Sequence, residues 1–198
     1  KALEPVEKHI TVTQVIGAVG SESPSLDAPD LVRQFAMAFK GKYRYLHAPV
    51  FVENAMARKT LLEDPTISES LAFARRSDVV LTGIGSLHPG NSSVLSKEYL
   101  SDSTRQRLRE AGAVGHICAY FFDRWGRFLD TYPNTSIIGL GKDDIKGIKE
   151  VIGVGGGELK AEAILGAVRG GYLTTLITDE SAARKVMELA EKEGNGSA

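Results

Sequence analysis

Residues 151–164 read VIGVGGGELKAEAI, an apolar run that stops at three consecutive glycines and passes at once into a helical pattern. A strand that hands over so abruptly to a helix belongs to a sheet whose helices fold back across it, because a lone strand cannot bury its own faces. The alternation recurs along the chain. Strands are predicted at 11–16 (TVTQVI), 44–47, 78–82 (DVVLT), 113–123, 126–129, 137–139, 151–154 and 175–178. Helices are predicted at 28–40, 54–63, 66–76, 97–111, 159–169 and 180–193. The 28–40 helix carries Leu31, Phe35 and Ala38 on its apolar face, Asp27 as N-cap and Gly41 as its stop. Pro65 separates the next two helices. DVVLT reads as a buried strand, and residues 113–123 and 126–129 as a strand pair around Arg124-Trp125-Gly126. The closing GNGSA reads as a loose tail. The pattern predicts an α/β fold, a mostly parallel sheet with flanking helices, in one domain covering 1–198.

Composition narrows the function classes. A formal net charge of -1 gives no overall field for nucleic acid. The single cysteine, Cys118 in ICAYFF, excludes an internal disulfide and a cysteine-built metal site, reads as core and fits a reducing compartment. No apolar run is long enough to span a bilayer, and Lys1-Ala2-Leu3 lacks the apolar segment of a signal peptide. The expectation is a cytoplasmic protein with no membrane partner, no metal and no cofactor. The chain does not start with methionine, which reads as a fragment.

In sheets of this class ligands bind beyond the carboxyl ends of the strands. Three stretches qualify: residues 83–93, 115–120 and 155–160. Gly155, Gly156 and Gly157 let the backbone approach a ligand closely, and the helix start beyond them offers free N–H groups to an anion. Lys160 reaches the same space. The spacing is neither that of a nucleoside-triphosphate loop nor that of a dinucleotide fingerprint, so a tight turn with a solvated lysine is the alternative. GIGSLHPGNSS is the most polar strand end: Gly85, Ser86, His88 and Asn91 suit a sugar or phosphate, or simply an ordinary surface turn. His116 is a polar group among apolar neighbours, either a satisfied core histidine or a site residue. Arg58 could pair a phosphate or face solvent, and Thr178 or Asp179 caps the last helix. Arg105, Arg107 and Arg109, with Glu98, Asp102 and Glu110 nearby, read as a solvated or subunit-facing surface.

The ordered set HAPVFVENAMARKTLLEDPTI, SDVVLTGIGSL, GAVGHICAYFFDRWGRFLD and VIGVGGGELKAEAILGAVRGGYLTTLITDESAARKVMEL resembles the effector-binding domain of the SorC family of bacterial transcription regulators. The likeness runs from about Thr11 through nearly the whole chain, and the order of the motifs carries it. It implies a fold similar to sugar-phosphate isomerases, glucosamine-phosphate deaminases and CoA transferases. It implies a phosphorylated sugar as effector, a homodimer or homotetramer whose assembly the sugar changes, and operator DNA held through an N-terminal helix-turn-helix. Within the motif, Lys160 is implied to contact the ligand, and the position after Ala113-Val114-Gly115 is commonly an acid that contacts sugar hydroxyls. Here that position is His116, which puts the usual ligand in doubt: a neutral imidazole offers one donor and one acceptor where a carboxylate only accepts. The helix-turn-helix is not in this sequence. Nor is the first sheet strand with its glycine-threonine phosphate loop, expected before the helix near residues 1–8, so the named site residues are a subset. Ion pairing between Lys160 and phosphate is favoured over a Schiff base, which would need a depressed lysine pKa. The alternative is a sugar-phosphate isomerase or deaminase on the same fold, needing a general base such as Glu158 or Asp179.

Overall fold

The computed structural model describes residues 9–20, 27–88, 90 and 100–194. The chain forms two compact units, Lys1–Ser77 with Ser136–Gly141, and Asp78–Thr135 with Lys142–Ala198.

In the first unit β1 (Thr11–Thr13) pairs in parallel with β2 (Lys42–Arg44), with α1 (Ala28–Ala38) between them in sequence. Asp27 caps α1 as expected, and its carboxylate also accepts the N–H groups of Val19 and Gly20 at 2.8 and 2.6 Å. The apolar face predicted for this helix is corrected: Val32 and Ala36 are buried, whereas Leu31 and Phe35 are exposed. α1 is apolar on more than one side, and periodicity alone does not choose which side meets β1 and β2. After α2 (Ala55–Glu63), Asp64 accepts from Thr66 N and Ile67 N and starts α3 (Pro65–Ala74). Pro65 is thus the first residue of α3, where its missing N–H costs nothing. The strand expected at 11–16 stops at Thr13, and the one expected at 44–47 lies at Lys42–Arg44. Residues 137–139 make only isolated bridges, Phe51 with Ile137 and Ile16 with Gly139.

The second unit holds two ladders. β3 (Val79–Gly83), β7 (Glu150–Val154) and β8 (Thr175–Ile177) run parallel in the order β3-β7-β8. β4 (Gly85–Ser86), β5 (Ala113–Ile117) and β6 (Tyr120–Asp123) are antiparallel in chain order. α4 (Asp102–Glu110) precedes β5, and α5 (Lys142–Lys146) precedes β7. α6 (Ala161–Arg169) and α7 (Glu180–Gly194) follow β7 and β8. The α/β class with parallel ladders and flanking helices is as predicted. Ile84, Ile117, Phe122, Ala163, Ile164, Ala167, Tyr172 and Ala182 form a buried cluster, against which Leu176 of β8 packs.

Two strand predictions change. Register places Val79, Leu81, Ile152, Val154 and Ile177 on one face of β3-β7-β8 and Val80, Val151 and Leu176 on the other. Val80 and Val151 are buried, but Leu81 is 51% exposed, and Val79, Val154 and Ile177 are exposed with it. DVVLT is therefore buried on one side only among the described residues, although a parallel sheet normally has both faces covered. The run 113–123 is not one strand. It folds back at Cys118 and Ala119, both with positive φ (44° and 65°), so that Ile117 faces Tyr120. That is the backbone of a tight hairpin turn whose usual residues are asparagine and glycine. Cys118 is buried, as expected of a core thiol, and burial pushes its pKa up to about 11. The predicted strand at 126–129 reduces to a bridge between Phe122 and Phe128. In α4, which starts later than predicted because Ser101 caps it, the arginines are tied back. Arg105 bonds Asp102 and Leu100 O, Arg107 bonds Thr104 Oγ1, and Arg109 bonds Leu87 O. Residues 97–99, including Glu98, lie outside the described residues, as does all of the GNGSA tail after Gly194.

The two faces of β3-β7-β8 differ in what they contribute to stability. Ile164→Ala, in the buried cluster, is expected to lower stability by about 2–5 kcal/mol. Leu81→Ser, on the open face, is expected to change it by less than about 0.5 kcal/mol. Urea titration of both variants of this chain checks the contrast.

Candidate ligand site at the strand ends

β3, β7 and β8 end side by side, and the ends are tied together. Ile84 N donates to Val154 O at 2.8 Å, and Gly155 N donates to Ile177 O at 3.1 Å. The segments leaving the strands therefore meet at one end of the ladder, where this fold class places its ligands. After β7 the chain turns at Gly157, whose φ of 86° favours glycine, and enters a short 3-10 helix, Glu158–Lys160, that runs directly into α6. Lys160 N donates to Gly157 O at 3.0 Å, but the N–H groups of Gly156, Glu158 and Leu159 donate to nothing among the described residues. Open donors at the entrance to a helix favour an anion.

Lys160 is half-buried and folds back over β3's end: its Nζ donates to Ile84 O at 2.9 Å. Ser86 Oγ donates to Leu159 O at 3.1 Å and accepts His88 N at 3.0 Å. These contacts stitch the segment 84–88 onto the 3-10 helix. Ser86 is buried, so its hydroxyl holds the loop together.

His116 of β5 faces Gly85 of β4, its register partner. A methyl group at Gly85 would overlap the imidazole, so the ring occupies space that only glycine leaves open. His116 is 7% exposed, and its ring centroid lies 4.9 Å from that of Phe121. Burial, and then the Lys160 ammonium, push its pKa down to about 4. The imidazole is neutral at pH 7 and stands within the field of Lys160. Gly115 is constrained as well, because a Cβ there would lie 2.6 Å from Gly85 O.

Asp179 has a structural task. Its Oδ2 accepts Gly157 N at 2.6 Å, and its Oδ1 accepts Ala182 N and Ser181 Oγ, each at 2.8 Å. It caps α7, as the sequence suggested, and with the same carboxylate anchors the glycine turn. The bonds from Ala182, Ser181 and Gly157 hold its pKa below the usual carboxylate range. A side chain at Gly156 would overlap this carboxylate. Sequence reasoning saw the cap but not the reach back to Gly157, because nothing in the spacing of 157 and 179 signals it.

The structure thus brings together Gly85, Ser86, His116, Gly155, Gly156, Gly157, Lys160 and Asp179. His88 is exposed and accepts Gly90 N on its Nδ1 at 3.2 Å. Arg58 belongs to the first unit, where its Nε donates to Ile137 O at 2.9 Å. Asn91 lies outside the described residues. Among the described residues no group of three or more His, Cys, Asp or Glu side chains could hold a metal ion, and no helix is long and apolar enough to cross a membrane.

Residues 1–188 match the Sugar-bind family model, a sugar-binding domain. The chain belongs to this sugar-binding domain family. It is 31% identical over 176 residues to the uncharacterized transcriptional regulator YjhU of Escherichia coli K12, covering 89% of this chain and 53% of that protein. It superposes on a DeoR family transcriptional regulator from Listeria monocytogenes with a TM-score of 0.83 at 26% identity, over 92% of this chain and 72% of the other. It shares its fold with the full-length sorbitol operon regulator SorC from Klebsiella pneumoniae, with a TM-score of 0.85 at 22% identity, over 92% and 60% of the two chains. SorC- and DeoR-family regulators are thus its sequence and structural neighbours. The chain spans about half the length of the curated relatives it matches.

Two measurements probe this sugar-binding domain without a ligand. Gly85→Ala should destabilise it by about 1–3 kcal/mol through overpacking. Adding His116→Ala should recover part of that loss, a coupling of about 0.5–3 kcal/mol in a double-mutant cycle. The second is pH. An unfolded histidine titrates near about 6.5, whereas folded His116 titrates at about 4. Between these values the unfolded state binds the extra proton, so stability is constant above the upper one and is lost as pH falls. Between pH 7 and pH 5 the loss assigned to His116 is about 2 kcal/mol, and His116→Gln should flatten that part of the urea-derived profile.

Proposed function

We propose that this chain is the ligand-sensing domain of a sugar-responsive, DNA-binding transcriptional regulator in the cytoplasm, and that its effector is a phosphorylated sugar. One observation supports the phosphate most directly. Three N–H groups without acceptors among the described residues stand at the start of the 3-10 helix that leads into α6, and Lys160 rises from that helix toward Ile84. Fixed N–H dipoles and an ammonium together suit a phosphate. Lys160 would exchange its carbonyl partner for the phosphate in an ion pair. His116, neutral and beside Lys160, would offer a hydrogen bond to a sugar hydroxyl in place of the acid that the resemblance leads one to expect.

On this reading the domain acts without catalysis. A ligand that binds one assembly better than another shifts the population between them, and operator binding through the N-terminal domain follows. A homodimer or homotetramer is the assembly proposed. Asp179, the better-placed of the two acids considered for an isomerase or deaminase, already accepts three hydrogen bonds from Gly157, Ser181 and Ala182. Glu158 is exposed on the 3-10 helix.

The test is a thermal-shift screen of the full-length regulator against sugar phosphates and the corresponding free sugars. A ligand that binds only the folded state raises the melting temperature, by about 2.7 kcal/mol of stabilisation at a hundredfold excess over its Kd. One sugar phosphate should do so, its free sugar should not, and Lys160→Ala should lose the response. Equal responses in Lys160→Ala and the parent, or no response to any sugar phosphate, would refute the site. Turnover of the sugar phosphate would refute the non-catalytic reading.

A further inference from the structure

In the first unit β2 has one open edge. Register pairs Lys42 with Thr11 and Arg44 with Thr13, and Lys42 N donates to Ile10 O at 2.9 Å. Along a strand the backbone groups of successive residues point to alternate sides within the plane of the sheet. Those of Lys42 and Arg44 therefore turn toward β1, and those of Tyr43 turn away from it. Among the described residues β1 is the only strand beside β2, and the N–H and C=O of Tyr43 and the N–H of Tyr45 bond nothing. All three residues of β2 are exposed.

The same edge carries cations without anions. Side chains alternate along a strand, so Lys42 and Arg44 project on one side of β2. The Arg44 guanidinium lies over the ring of Phe73 in α3 at 4.7 Å, and that of the exposed Arg76 lies 6.0 Å from the same ring. The side chains of Lys42, Arg44 and Arg76 make no hydrogen bond and no ion pair among the described residues. Arg33 of α1, by contrast, is paired with Asp30 at 2.7 Å. Two guanidinium groups against one ring repel each other, and an anion between them relieves the repulsion. A guanidinium stacked on an aromatic face keeps its planar fork for a carboxylate.

We propose that the outer edge of β2, with Arg76, is a docking site for an extended acidic segment of a partner protein, which adds to the sheet as a further strand. The segment's backbone bonds Tyr43. Its alternate carboxylates reach Lys42 and Arg44, whose spacing of about 6.6 Å is that of every second residue in a strand. The chemistry of the edge selects a peptide. A peptide backbone both donates and accepts, as Tyr43 requires, whereas a phosphate backbone only accepts. A second copy paired antiparallel through the same edge would set Lys42 against Arg44, which like charge disfavours. Charged side chains also keep an edge from pairing indiscriminately, and here their sign narrows the partner to an acidic one.

The test is the fluorescence anisotropy of a dye-labelled peptide of alternating glutamate and threonine, titrated with the chain at low salt. Saturable binding is expected, weakened about ten-fold on raising salt from 50 to 500 mM. Lys42→Gln/Arg44→Gln should weaken it at least about five-fold while the thermal transition stays in place. Arg76→Gln, outside the strand, is the second variant should the double one not fold, with a weakening of about two-fold. Strand addition has its own signature. An added strand turns only every second N–H to the sheet, so methylating the glutamate nitrogens or the threonine nitrogens should give affinities about ten-fold apart. The proposal is overturned by no saturable binding, by equal affinity in the charge variants, by equal affinity of the two methylated peptides, or by tighter binding of a DNA duplex. A dimer of the chain alone in sedimentation, lost in Tyr43→Pro, would overturn it by assigning the edge to a second copy.

Discussion

The hydrogen bond from Lys160 Nζ to Ile84 O joins the two segments on which the candidate site depends. Ile84 is the hinge between ladders: its N–H closes the end of β3 against β7, and its carbonyl receives the lysine. Its side chain is at the same time part of the buried cluster with Ile117, Phe122 and Ile164. One residue thus fixes the parallel ladder, the antiparallel ladder and the 3-10 helix relative to one another within the second unit. Ser86 repeats the link one step further on, with its bond to Leu159 O. If the cluster shifted, the lysine, the glycine turn and His116 would lose their mutual geometry together.

Glycine placement follows from the same crowding. Gly85 is dictated by the His116 ring and Gly115 by the approach of β4, while Gly156 makes room for Asp179. Among the glycines named for the site, Gly157 is the one required by its own backbone angle. Three glycines that look alike in the sequence therefore differ in kind. Gly155 sits against the Ile84 side chain, Gly156 yields to a carboxylate, and Gly157 turns the chain.

Much of the fold was legible because its signals are local. The strand–glycine–helix hand-over at 151–164, the Asp27 cap and the Arg124-Trp125-Gly126 turn each rest on residues close in sequence. Several of the failures depended on packing that the local sequence does not signal. Nothing in LVRQFAMAF says that Val32 and Ala36, rather than Leu31 and Phe35, will meet β1 and β2. The hairpin turn at Cys118-Ala119 carries no glycine or asparagine signal, and it closes because the residues on either side, Ile117 and Tyr120 to Phe122, are buried. For the site, the lysine and the glycines could be singled out by type, but the Asp179 bond to Gly157 spans 22 residues and the Lys160 bond to Ile84 spans 76. The family resemblance paired Lys160 with position 116, which local chemistry could not, and the structure puts the His116 imidazole within the field of the Lys160 ammonium.

The charges of that site set terms for any ligand. The charged groups described at the strand ends are one ammonium on Lys160 and the carboxylates of Asp179 and of the exposed Glu158, beside a neutral imidazole on His116, so the formal side-chain charge is not positive. Asp179 is already satisfied by backbone and hydroxyl donors, and such bonds spread its charge over α7's first turn. On the proposed reading, an entering anion therefore meets no attractive net field and would be held by directed bonds, from the N–H groups at the helix start and from Lys160 once it leaves Ile84 O. Directed donors select for an oxyanion of fixed shape over a diffuse negative charge. His116 adds a further selection, since its neutral ring gains nothing from charge and can respond only to a hydroxyl or carbonyl placed within hydrogen-bonding reach. On the proposed reading, a ligand that satisfies both conditions would carry its anion and its hydroxyls on one small framework, as a sugar phosphate does.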